Sequence, residues 1–451
     1  MLSGAGGVGH AVVTGLDGGI GRVDPFKDMK NRPQAGHGTN ILLVGTDGRD
    51  KVTPEEKEKY RLGGAPCHCT DTMMIVHVSS DRSRASVVSI PRDSYAEVPE
   101  HTDQNTGEHH NQHPVKINAA YAEGGPALTV RTVEHMTGLK MDHYLEVDFT
   151  SFMKTVDVLG GVQICTARPM KDSYSGLDLP AGTHHLDGGQ ALQYVRSRHT
   201  DGSADLGRMQ RQQKFMAALI HEATGSGVLM NPVRFREVAS TLLSSVRADQ
   251  GFGAEEILSL GRTMRGFSPA SSEFATVPIG QMSFPVKGIG STVKWDPVKS
   301  RKLFMELRED RPLARPAARG QDAKGRPPGA TVEVAPDRIR VQVYNGTRTD
   351  GLGRRVDDAL RATGFRTTGK PLAGGPGDLH RTLVEYDPRW DRSARSLAAA
   401  LPGSDLRPVK GLGPVMKVTA GTDFTAVRPV RAEARGAGEF DTVTGDQAVC
   451  P

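Results

Sequence analysis

Residues 37–47 read "HGTNILLVGTD", and this stretch decides the fold expected for the first part of the chain. Four consecutive apolar residues, 41–44, are followed by a glycine, a threonine and Asp47. An uninterrupted apolar run of this length is typical of a strand that is buried on both faces. We therefore predict a buried strand that carries polar groups at its carboxyl end.

Further strands and helices alternate after this first strand. The segments "DTMMIVHVSS" (71–80) and "RASVVSIPRD" (84–93) are rich in β-branched and apolar residues, and both predict strands. The segments "PALTVRTVEHMTG" (126–138) and "GRMQRQQKFMAALIHEA" (207–223) have apolar residues at helical spacing. Alternation of this kind predicts a layered α/β or α+β domain that extends to about residue 310.

A change in composition near residue 308 divides the chain. The stretch 308–330 is rich in Pro, Ala, Gly and charge, which is typical of a linker, and a second strand–helix–strand rhythm follows it. The predicted organisation has five parts: a Gly-rich leader or stalk (1–36), a first folded domain (37–307), a linker (308–333), a small α/β domain (334–425) and a disordered tail (426–451).

Composition and cysteine content limit the class of protein. The chain has 451 residues and a formal net charge of +5, which does not point to nucleic acid. No apolar run is long enough for a transmembrane helix, and the start has no complete signal peptide. Cys67 and Cys69 are too close for a usual zinc knuckle. A disulfide from Cys165 to one of these two is an option in an exported protein.

A cluster of arginines occupies residues 194–213, "YVRSRHTDGSADLGRMQRQQ". If 194–198 is extended, Arg196 and Arg198 share one face. If a helix starts near Asp205 as its N-cap, Arg208, Arg211 and Gln212 share one helical face. A helix N-terminus and several guanidinium groups together favour a phosphate or pyrophosphate ligand. The alternative is a solvated, salt-bridged surface.

Acidic and basic residues also follow the predicted strands. Asp47 and Asp71 stand at strand ends, where carboxylates can hold a hard cation such as Mg²⁺ together with substrate phosphates. Arg92 is a further candidate anion ligand, and Lys116 is another cation. Asp93 is either a functional carboxylate or a structural partner of Arg92.

Seven blocks, in order, carry a resemblance to a known family. They are "NILLVGTDGR", "DTMMIVHV", "VVSIPRDSY", "KINAAYAEGG", "VDFTSFMKTVDVLGGV", "LDGGQALQYVRSRH" and "GRMQRQQ". Together they closely resemble the LytR-CpsA-Psr (LCP) family of bacterial cell-wall enzymes over about residues 38–224. The segment "RVQVYNGTRTDGLGRRVDDALRATGF" resembles the small C-terminal LytR-type domain that often accompanies such enzymes in actinobacteria.

The resemblance implies a fold, an activity and a ligand set. The fold would be a central mixed sheet with helices on both sides and an apolar groove for a lipid tail. The activity would be a phosphotransferase reaction that moves a glycopolymer, such as a teichoic acid or an arabinogalactan-like polymer, from a polyprenyl pyrophosphate carrier in the membrane onto peptidoglycan. The implied pyrophosphate ligands are Arg92, Lys116, Arg196, Arg198, Arg208 and Gln212, and the implied metal ligands are Asp47 and Asp71, with Mg²⁺ or alternatively Mn²⁺.

From the residues we add Arg49 and Arg211 to the pyrophosphate set, and we place Asp71, Arg92, Asp93 and Arg198 in the reaction itself. The acceptor hydroxyl needs a general base, for which Asp71 and Asp93 are the candidates, or it loses its proton to water.

Two features depart from the family pattern. Many members have Arg two residues before the Asp of the "DT" block, where this chain has Cys69, so either one ligand is lost or another cation such as Arg49 replaces it. Members usually carry an N-terminal membrane anchor, which this sequence lacks. We expect an extracytoplasmic protein that is normally anchored, with a truncated chain or a misplaced start.

Three other functions stay open at this stage. Water in place of the sugar acceptor would make the enzyme a polyprenyl pyrophosphate–glycan hydrolase. The chain could also be a non-catalytic cell-wall binding protein. A DNA-binding regulator is disfavoured because the sequence has no helix-turn-helix pattern and no strongly basic domain, so we expect no nucleic-acid partner. The loop holding His101, His109, His110 and His113 fits a metal site less well than a surface loop.

Overall fold

The computed structural model of the chain describes residues 20–27, 29–49, 51–63, 70–200, 204–225, 231–253, 255–257, 259, 267, 269–314, 330–332, 334, 336–374, 377–432, 440 and 442–448.

A mixed sheet forms the centre of the first domain. Within the described residues it has eight strands, in the spatial order β1, β14, β9, β2, β3, β4, β15, β26. Neighbours are antiparallel except for the parallel pairs β1–β14, β2–β9 and β4–β15. The strands are β1 (Gly21–Arg22), β2 (Thr39–Thr46), β3 (Thr70–Val78), β4 (Ala85–Ile90), β9 (His143–Val147), β14 (Arg247–Ala248), β15 (Ser272–Thr276) and β26 (Val443–Thr444).

Helices cover both faces of this sheet, because each central strand is apolar on both sides. Leu42 and Val44 of β2 belong to a core cluster with α2 (Ala119–Thr137) and α7 (Pro297–Arg308). The intervening Leu43 points the other way and packs with residues of α5 (Ala204–Gly225). On that second face, Ile41 contacts a cluster that includes α6 (Pro232–Ser245). The predicted α/β/α layering and the buried strand over 37–47 are confirmed.

A second, smaller cluster lies beside the sheet. It is built from α1 (Pro54–Lys59), α3 (Phe149–Val158), α4 (Gly188–Arg196) and the hairpins of β10 (Val162–Thr166) with β13 (Gly182–Leu186) and β11 (Met170–Asp172) with β12 (Leu177–Leu179). Phe149, Met153, Leu192 and Phe215 are among the buried residues that join these elements to α5. This cluster turns the arginine-bearing segment toward the sheet.

Three other hairpins complete the first domain. They pair β5 (Tyr95–Val98) with β8 (His113–Lys116), β6 (His101–Thr102) with β7 (His109–His110), and β16 (Ile279–Val286) with β17 (Gly290–Trp295). Helix α2 was predicted to start at Pro126, but it begins at Ala119 and is interrupted by non-helical backbone at Gly124 and Gly125. Its predicted end at Gly138 is confirmed, because Gly138 adopts φ 65° there.

The second domain is a six-stranded sheet with two helices. Its strand order is β20, β19, β24, β22, β23, and β21 also pairs with β19. The strands are β19 (Arg340–Asn345), β20 (Arg366–Thr367), β21 (Leu372–Ala373), β22 (Leu383–Tyr386), β23 (Asp405–Pro408) and β24 (Val415–Ala420). Its core joins Val341, Val343 and Val418 to α8 (Leu352–Ala362) and α9 (Asp391–Ala400). The predicted small α/β domain is confirmed.

The predicted leader and linker boundaries differ from the structure. Residues 20–27 belong to the first domain, because β1 pairs with β14, Ile20 and Val23 are buried, and Arg22 donates to the carbonyl of Asp249. The start of the linker is also packed, since Leu313 is buried and its N–H donates to Glu273. After the undescribed residues 315–329, β18 (Ala330–Val332) pairs with β25 (Val430–Ala432).

The tail, predicted as disordered, returns to the first domain. Strand β26 pairs antiparallel with β15, and the short helix α10 (Gly445–Ala448) follows it. Phe440 is buried in the same core cluster as β2. The prediction is corrected for these residues, because one aromatic side chain and a two-residue strand hold an otherwise polar segment on the sheet edge. Among the described residues, no helix combines the length and apolar character that a membrane crossing needs.

We expect Phe440→Ala to destabilise the first domain by about 3 kcal/mol, the usual cost of deleting a buried aromatic side chain. Chemical denaturation of the full chain measures this difference. Phe440→Leu is the matched control, because it keeps an apolar side chain and should lose clearly less. Equal stability of the Ala variant and the wild type would show that the tail is not part of this core.

Candidate functional site

A cavity of about 520 Å³ opens beside the carboxyl ends of β2 and β9. Most of its lining is apolar, from α3, α4, α5 and the sheet, whereas one part carries carboxylates, guanidinium groups and an amide. The apolar part includes Leu43, Met74, Val147, Phe149, Phe152, Leu192, Phe215 and Leu219. The polar part includes Asp71, Asp172, Arg196, Arg198, His199, Arg208 and Gln212. The cavity is therefore amphiphilic.

Helix α4 delivers the first two arginines. Asp187 caps it in a capping box with Gln190. Gly188 allows it to lie against α3, since a Cβ there would come within 2.3 Å of the Met153 carbonyl oxygen. The segment 194–198 was predicted as extended, but the helix continues to Arg196 and the backbone becomes extended only at Ser197. Arg196 and Arg198 still reach the same cavity, because the chain changes direction between them.

Helix α5 delivers the remaining polar groups, although not all of them to the cavity. Arg208 and Gln212, one turn apart, both line it, and the Gln212 amide donates to Thr72 Oγ1 at 2.9 Å. The Arg211 guanidinium instead donates to the carbonyl of Ser197 at 2.6 Å and is not in the lining. The structure therefore does not bring Arg211 into the predicted pyrophosphate set, and its observed contact supports the turn after α4.

Three guanidinium groups converge on Asp71. Its Oδ1 accepts from Arg92 Nη1 at 2.7 Å and lies 3.5 Å from Arg198 Nη2 and 3.8 Å from Arg208 Nη1. These residues come from β3, the turn after β4, the segment after α4, and α5. The predicted grouping of Asp71, Arg92, Arg198 and Arg208 is thus observed as a single charged cluster.

The same three arginines also surround Asp205. Its carboxylate lies 3.4 Å from Arg208, 3.6 Å from Arg198 and 3.8 Å from Arg92. Asp205 was predicted as the helix N-cap, but it lies within the first turn of α5, where its carboxylate faces the arginines. Two carboxylates therefore compensate three guanidinium groups, which leaves the cluster positive.

Arg196 extends this positive region toward the apolar wall. Its guanidinium carbon lies 5.1 Å from the centre of the Phe149 ring, a cation–π distance. Burial and the nearby charge of Arg49 lower the pKa of Arg196. Burial, followed by the charge of Arg198, lowers the pKa of Arg208 to about 10. Both arginines are held in a poorly solvated place, so an anion there would gain strongly from them.

Several buried N–H groups of this cluster lack hydrogen-bond partners among the described residues. They are Arg92 Nε, Arg196 Nη1 and Arg208 Nε. Buried donors are normally satisfied, and an unpaired donor costs about 1–3 kcal/mol. Arg196 and Arg208 line the cavity, and Arg92 contacts Asp71 in its lining, so the three donors indicate a place for an anionic ligand with several oxygen acceptors.

The other predicted ligands lie at the edge of the cluster, where each basic side chain is paired with a carboxylate. Arg49 binds Asp47 through two contacts of 2.6 and 2.7 Å and also donates to the carbonyl of Leu62. Lys116 Nζ lies 3.3 Å from Asp93 Oδ1. Arg92 Nε is 3.9 Å from the Asp93 carboxylate, so the structural pairing considered for Asp93 is present. Cys69 lies outside the described residues.

Asp172 and its neighbours form the rim beside Arg198. The buried Asp172 carboxylate accepts from the backbone N–H groups of Tyr174, Arg198 and His199. Burial would raise the pKa of Asp172, but these backbone hydrogen bonds outweigh it, so the pKa is lowered. A charged carboxylate thus ties the β11–β12 hairpin to the segment after α4.

The carboxylate chemistry of this region is suited to a hard cation. The charges of Asp47 and Asp71 both act to raise the pKa of Arg196, although burial and Arg49 lower it overall. In the described part of the chain, no group of three or more His, Cys, Asp or Glu side chains is arranged to hold a metal. Mg²⁺ retains waters and takes part of its ligand set from substrate phosphates, so two carboxylates would be enough, and Asp47 and Asp71 stay the predicted ligands.

The His-rich loop folds as the β6–β7 hairpin. The rings of His101, His110 and His113 lie 5.6 Å apart, and Glu123 is 3.0 Å from His113. His101 is buried, whereas most residues from 102 to 112 are exposed, as predicted for a surface loop. Cys165 is disulfide-bonded, and Cys67, Cys69 and Cys450 all lie outside the described residues.

Sequence reasoning missed three features of the site. It did not assign Asp205 to the arginines, although the i, i+3 spacing to Arg208 was a usable signal. It did not identify Asp172 as the anchor of the rim, because the partners are backbone groups far away in sequence. It also did not derive the apolar cavity, whose walls come from separate elements.

Comparison with known proteins decides the family. Residues 18–294 match the model described as the LytR_cpsA_psr family. The chain belongs to this family. Residues 338–424 match a second model, described as LytR cell envelope-related transcriptional attenuator. The family match begins before residue 37, which agrees with the packing of residues 20–27 on the sheet.

Similar proteins of this LCP family include two from Corynebacterium glutamicum. The probable cell wall biosynthesis protein LcpB is 36% identical over 65% of this chain and 66% of its own length. The cell wall biosynthesis protein LcpA is 29% identical over 81% of this chain and 73% of its own length. TagT of Bacillus subtilis, named as a polyisoprenyl-teichoic acid–peptidoglycan teichoic acid transferase, is 33% identical over 45% of this chain and 56% of its length.

Proposed function

We propose that this chain is a phosphotransferase that moves a glycopolymer from a polyprenyl pyrophosphate carrier onto peptidoglycan. The observation that carries the proposal is a set of buried guanidinium N–H groups that have no hydrogen-bond partner among the described residues. Those of Arg196 and Arg208 lie at the polar part of an apolar cavity, and that of Arg92 lies beside Asp71, which lines the same cavity. A polyprenyl pyrophosphate has a matching arrangement, because its apolar chain is joined to an anion with many oxygen acceptors. The names of the corynebacterial relatives and of TagT support this class of function.

The reaction exchanges one bond to phosphorus for another. An acceptor hydroxyl oxygen attacks the glycan-side phosphorus of the donor, and a phosphodiester between glycan and acceptor forms. The bond from that phosphorus to the bridging oxygen breaks, and lipid monophosphate leaves. The proton of the hydroxyl passes to Asp93, which lies beside Arg92, or to water, because Asp71 would be engaged by Mg²⁺.

The arginines stabilise the charge that develops during this exchange. Arg92, Arg198 and Arg208 reach the cluster from different elements. Each can therefore contact a phosphate while the other two keep their positions. Gln212 adds a neutral donor, positioned by Thr72. Preorganised donors of this kind are the main source of catalysis in phosphoryl transfer.

Asp47 and Asp71 would hold Mg²⁺ next to the pyrophosphate. When bound, the ion neutralises phosphate charge and polarises the phosphorus toward attack. Because Arg49 already pairs with Asp47 through two contacts, Arg49 acts in this proposal by orienting that carboxylate. The same contacts give less support to the predicted role of Arg49 as the replacement of a lost pyrophosphate-binding arginine, because its guanidinium is engaged by Asp47.

The proposed partners place the protein at the outer side of the membrane. The donor is a membrane lipid and the acceptor is peptidoglycan, so catalysis belongs to the cell envelope. The disulfide at Cys165 is compatible with an oxidising, extracytoplasmic compartment.

Incubation of the purified chain with Mg²⁺, a synthetic polyprenyl pyrophosphate glycan and a peptidoglycan fragment tests the proposal. We expect mass spectrometry to show the glycan joined to the fragment by a phosphodiester. Arg92→Ala and Arg198→Ala should abolish this product while thermal unfolding shows an intact fold. Arg354→Ala, which removes the same charge from an exposed helix position of the second domain, is the matched control.

Other outcomes separate the alternatives. Free glycan phosphate without a joined product would identify a hydrolase. Donor binding without turnover would support a binding protein. Normal transfer by both site variants would show that the site is placed wrongly.

A further inference from the structure

We propose that Tyr174 and His199 form a stacking surface for a pyranose ring of the substrate, next to the pyrophosphate site. This inference rests on the proposed function and adds a saccharide subsite to it. The two rings line the cavity and lie 4.6 Å apart with an angle of 34° between their planes. The apolar C–H face of a pyranose is complementary to an aromatic face of this size.

The exposure of Tyr174 is the first argument. Tyr174 is 76% exposed, the highest value among the exposed large hydrophobic residues of the described chain, and the His199 side chain is 60% exposed. Aromatic side chains bury most of their surface on average, and these two adjoining rings are open where a ligand in the cavity can cover them. His199 covers part of the tyrosine and leaves the rest available.

The second argument is that the backbone segments that carry the two rings are fixed by hydrogen bonds. The buried Asp172 carboxylate accepts from the backbone N–H of Tyr174 at 2.9 Å and from that of His199 at 3.3 Å. Arg61 also donates to the carbonyl of Ser173, between Asp172 and Tyr174. A surface that is prepared in this way loses little conformational entropy when a ligand binds.

The third argument is the order of groups along the substrate. In the donor, the lipid chain, the pyrophosphate and the first sugar follow one another. If the lipid lies in the apolar part of the cavity and the pyrophosphate lies among the arginines, the sugar must lie beyond them. His199 directly follows Arg198, so the stacking surface adjoins the arginine cluster where that sugar, or the sugar of the acceptor, has to be.

Binding measurements with three ligands test the proposal without requiring turnover. The ligands are a sugar-free polyprenyl pyrophosphate, the same lipid carrying a glycan, and a soluble peptidoglycan disaccharide fragment, each titrated calorimetrically into wild type and Tyr174→Ala. We expect Tyr174→Ala to weaken a saccharide-bearing ligand by about tenfold and to leave the sugar-free lipid unchanged. Tyr174→Phe should bind like wild type, and Leu372→Ala, an exposed apolar residue of the second domain, is the matched control.

The pattern of losses identifies the source of the sugar. A loss confined to the glycan-bearing lipid assigns the surface to the donor, and a loss confined to the disaccharide fragment assigns it to the acceptor. Unchanged binding of both saccharides by Tyr174→Ala would overturn the proposal. Absence of transfer by the wild type in the product assay would instead contradict the proposed function, and the saccharide titrations would still report on the surface.

Discussion

Arg208→Ala is expected to lower kcat for glycan transfer by about 10²–10³-fold, the range found when one preorganised donor to a developing oxyanion is removed. Arg208 is buried, it lies between Asp71 and Asp205, and its Nε has no partner among the described residues. We expect neither Arg92 nor Arg198 to replace it, because both are held by the same two carboxylates. Initial rates with saturating donor measure the effect.

Two controls make this result specific. Arg208→Lys keeps a positive charge but loses the planar fork, so we expect partial activity. Asp205→Asn should keep the fold and all three arginines while it weakens the ion pairs. Its activity therefore shows whether the loss in Arg208→Ala comes from a missing ligand contact or from disrupted ion pairs. If Arg208→Ala retained more than half of the wild-type rate, the guanidinium would not act on the transition state.

Phe152→Asp is expected to weaken binding of the polyprenyl donor by at least about 100-fold. Phe152 lies on α3, lines the apolar part of the cavity and packs against Phe215 with ring centres 4.8 Å apart. The substitution removes apolar contact worth about 1.5–3 kcal/mol and adds a carboxylate that a bound lipid would desolvate. Titration with a sugar-free polyprenyl pyrophosphate measures the loss.

Inorganic pyrophosphate, which corresponds to the head group of the donor, is the control ligand for this second prediction. Binding of inorganic pyrophosphate should be unchanged in Phe152→Asp, because the arginines lie at the other part of the cavity. Phe152→Leu should retain most of the lipid affinity, and it measures the effect of changing the side-chain shape without adding a charge. Equal losses for inorganic pyrophosphate and for the lipid would mean that the substitution disturbs the site as a whole, and the cavity would then not be assigned to the lipid chain.

Much of the fold followed from short-range patterns in the chain. The run at 41–44, the segments 71–80 and 84–93, and the helical spacing over 207–223 each indicate one element. Their alternation leaves few layered arrangements, because apolar strands need helices on both faces. The family resemblance rests on the same local blocks, and the predicted grouping of Asp71, Arg92, Arg198 and Arg208 followed from them.

Features that depend on contacts between distant segments could not be predicted from short-range sequence patterns. Phe440 packs into a core whose other buried members lie more than a hundred residues away, and the polar composition around it pointed to disorder. Arg211 looked equivalent to Arg208 on one helical face, yet one of them lines the cavity and the other binds a backbone carbonyl. The rotation of α5 against the sheet makes this distinction, and that rotation is set by packing.

Residue types and their spacing along the chain thus established the layers, the family and the identity of the charged groups, because each of these is a local property. The amphiphilic cavity, the two carboxylates shared by three arginines, and the stacking surface at Tyr174 arise from side chains that meet only after folding. Their energies depend on burial and on distances between elements, and a one-dimensional pattern contains neither.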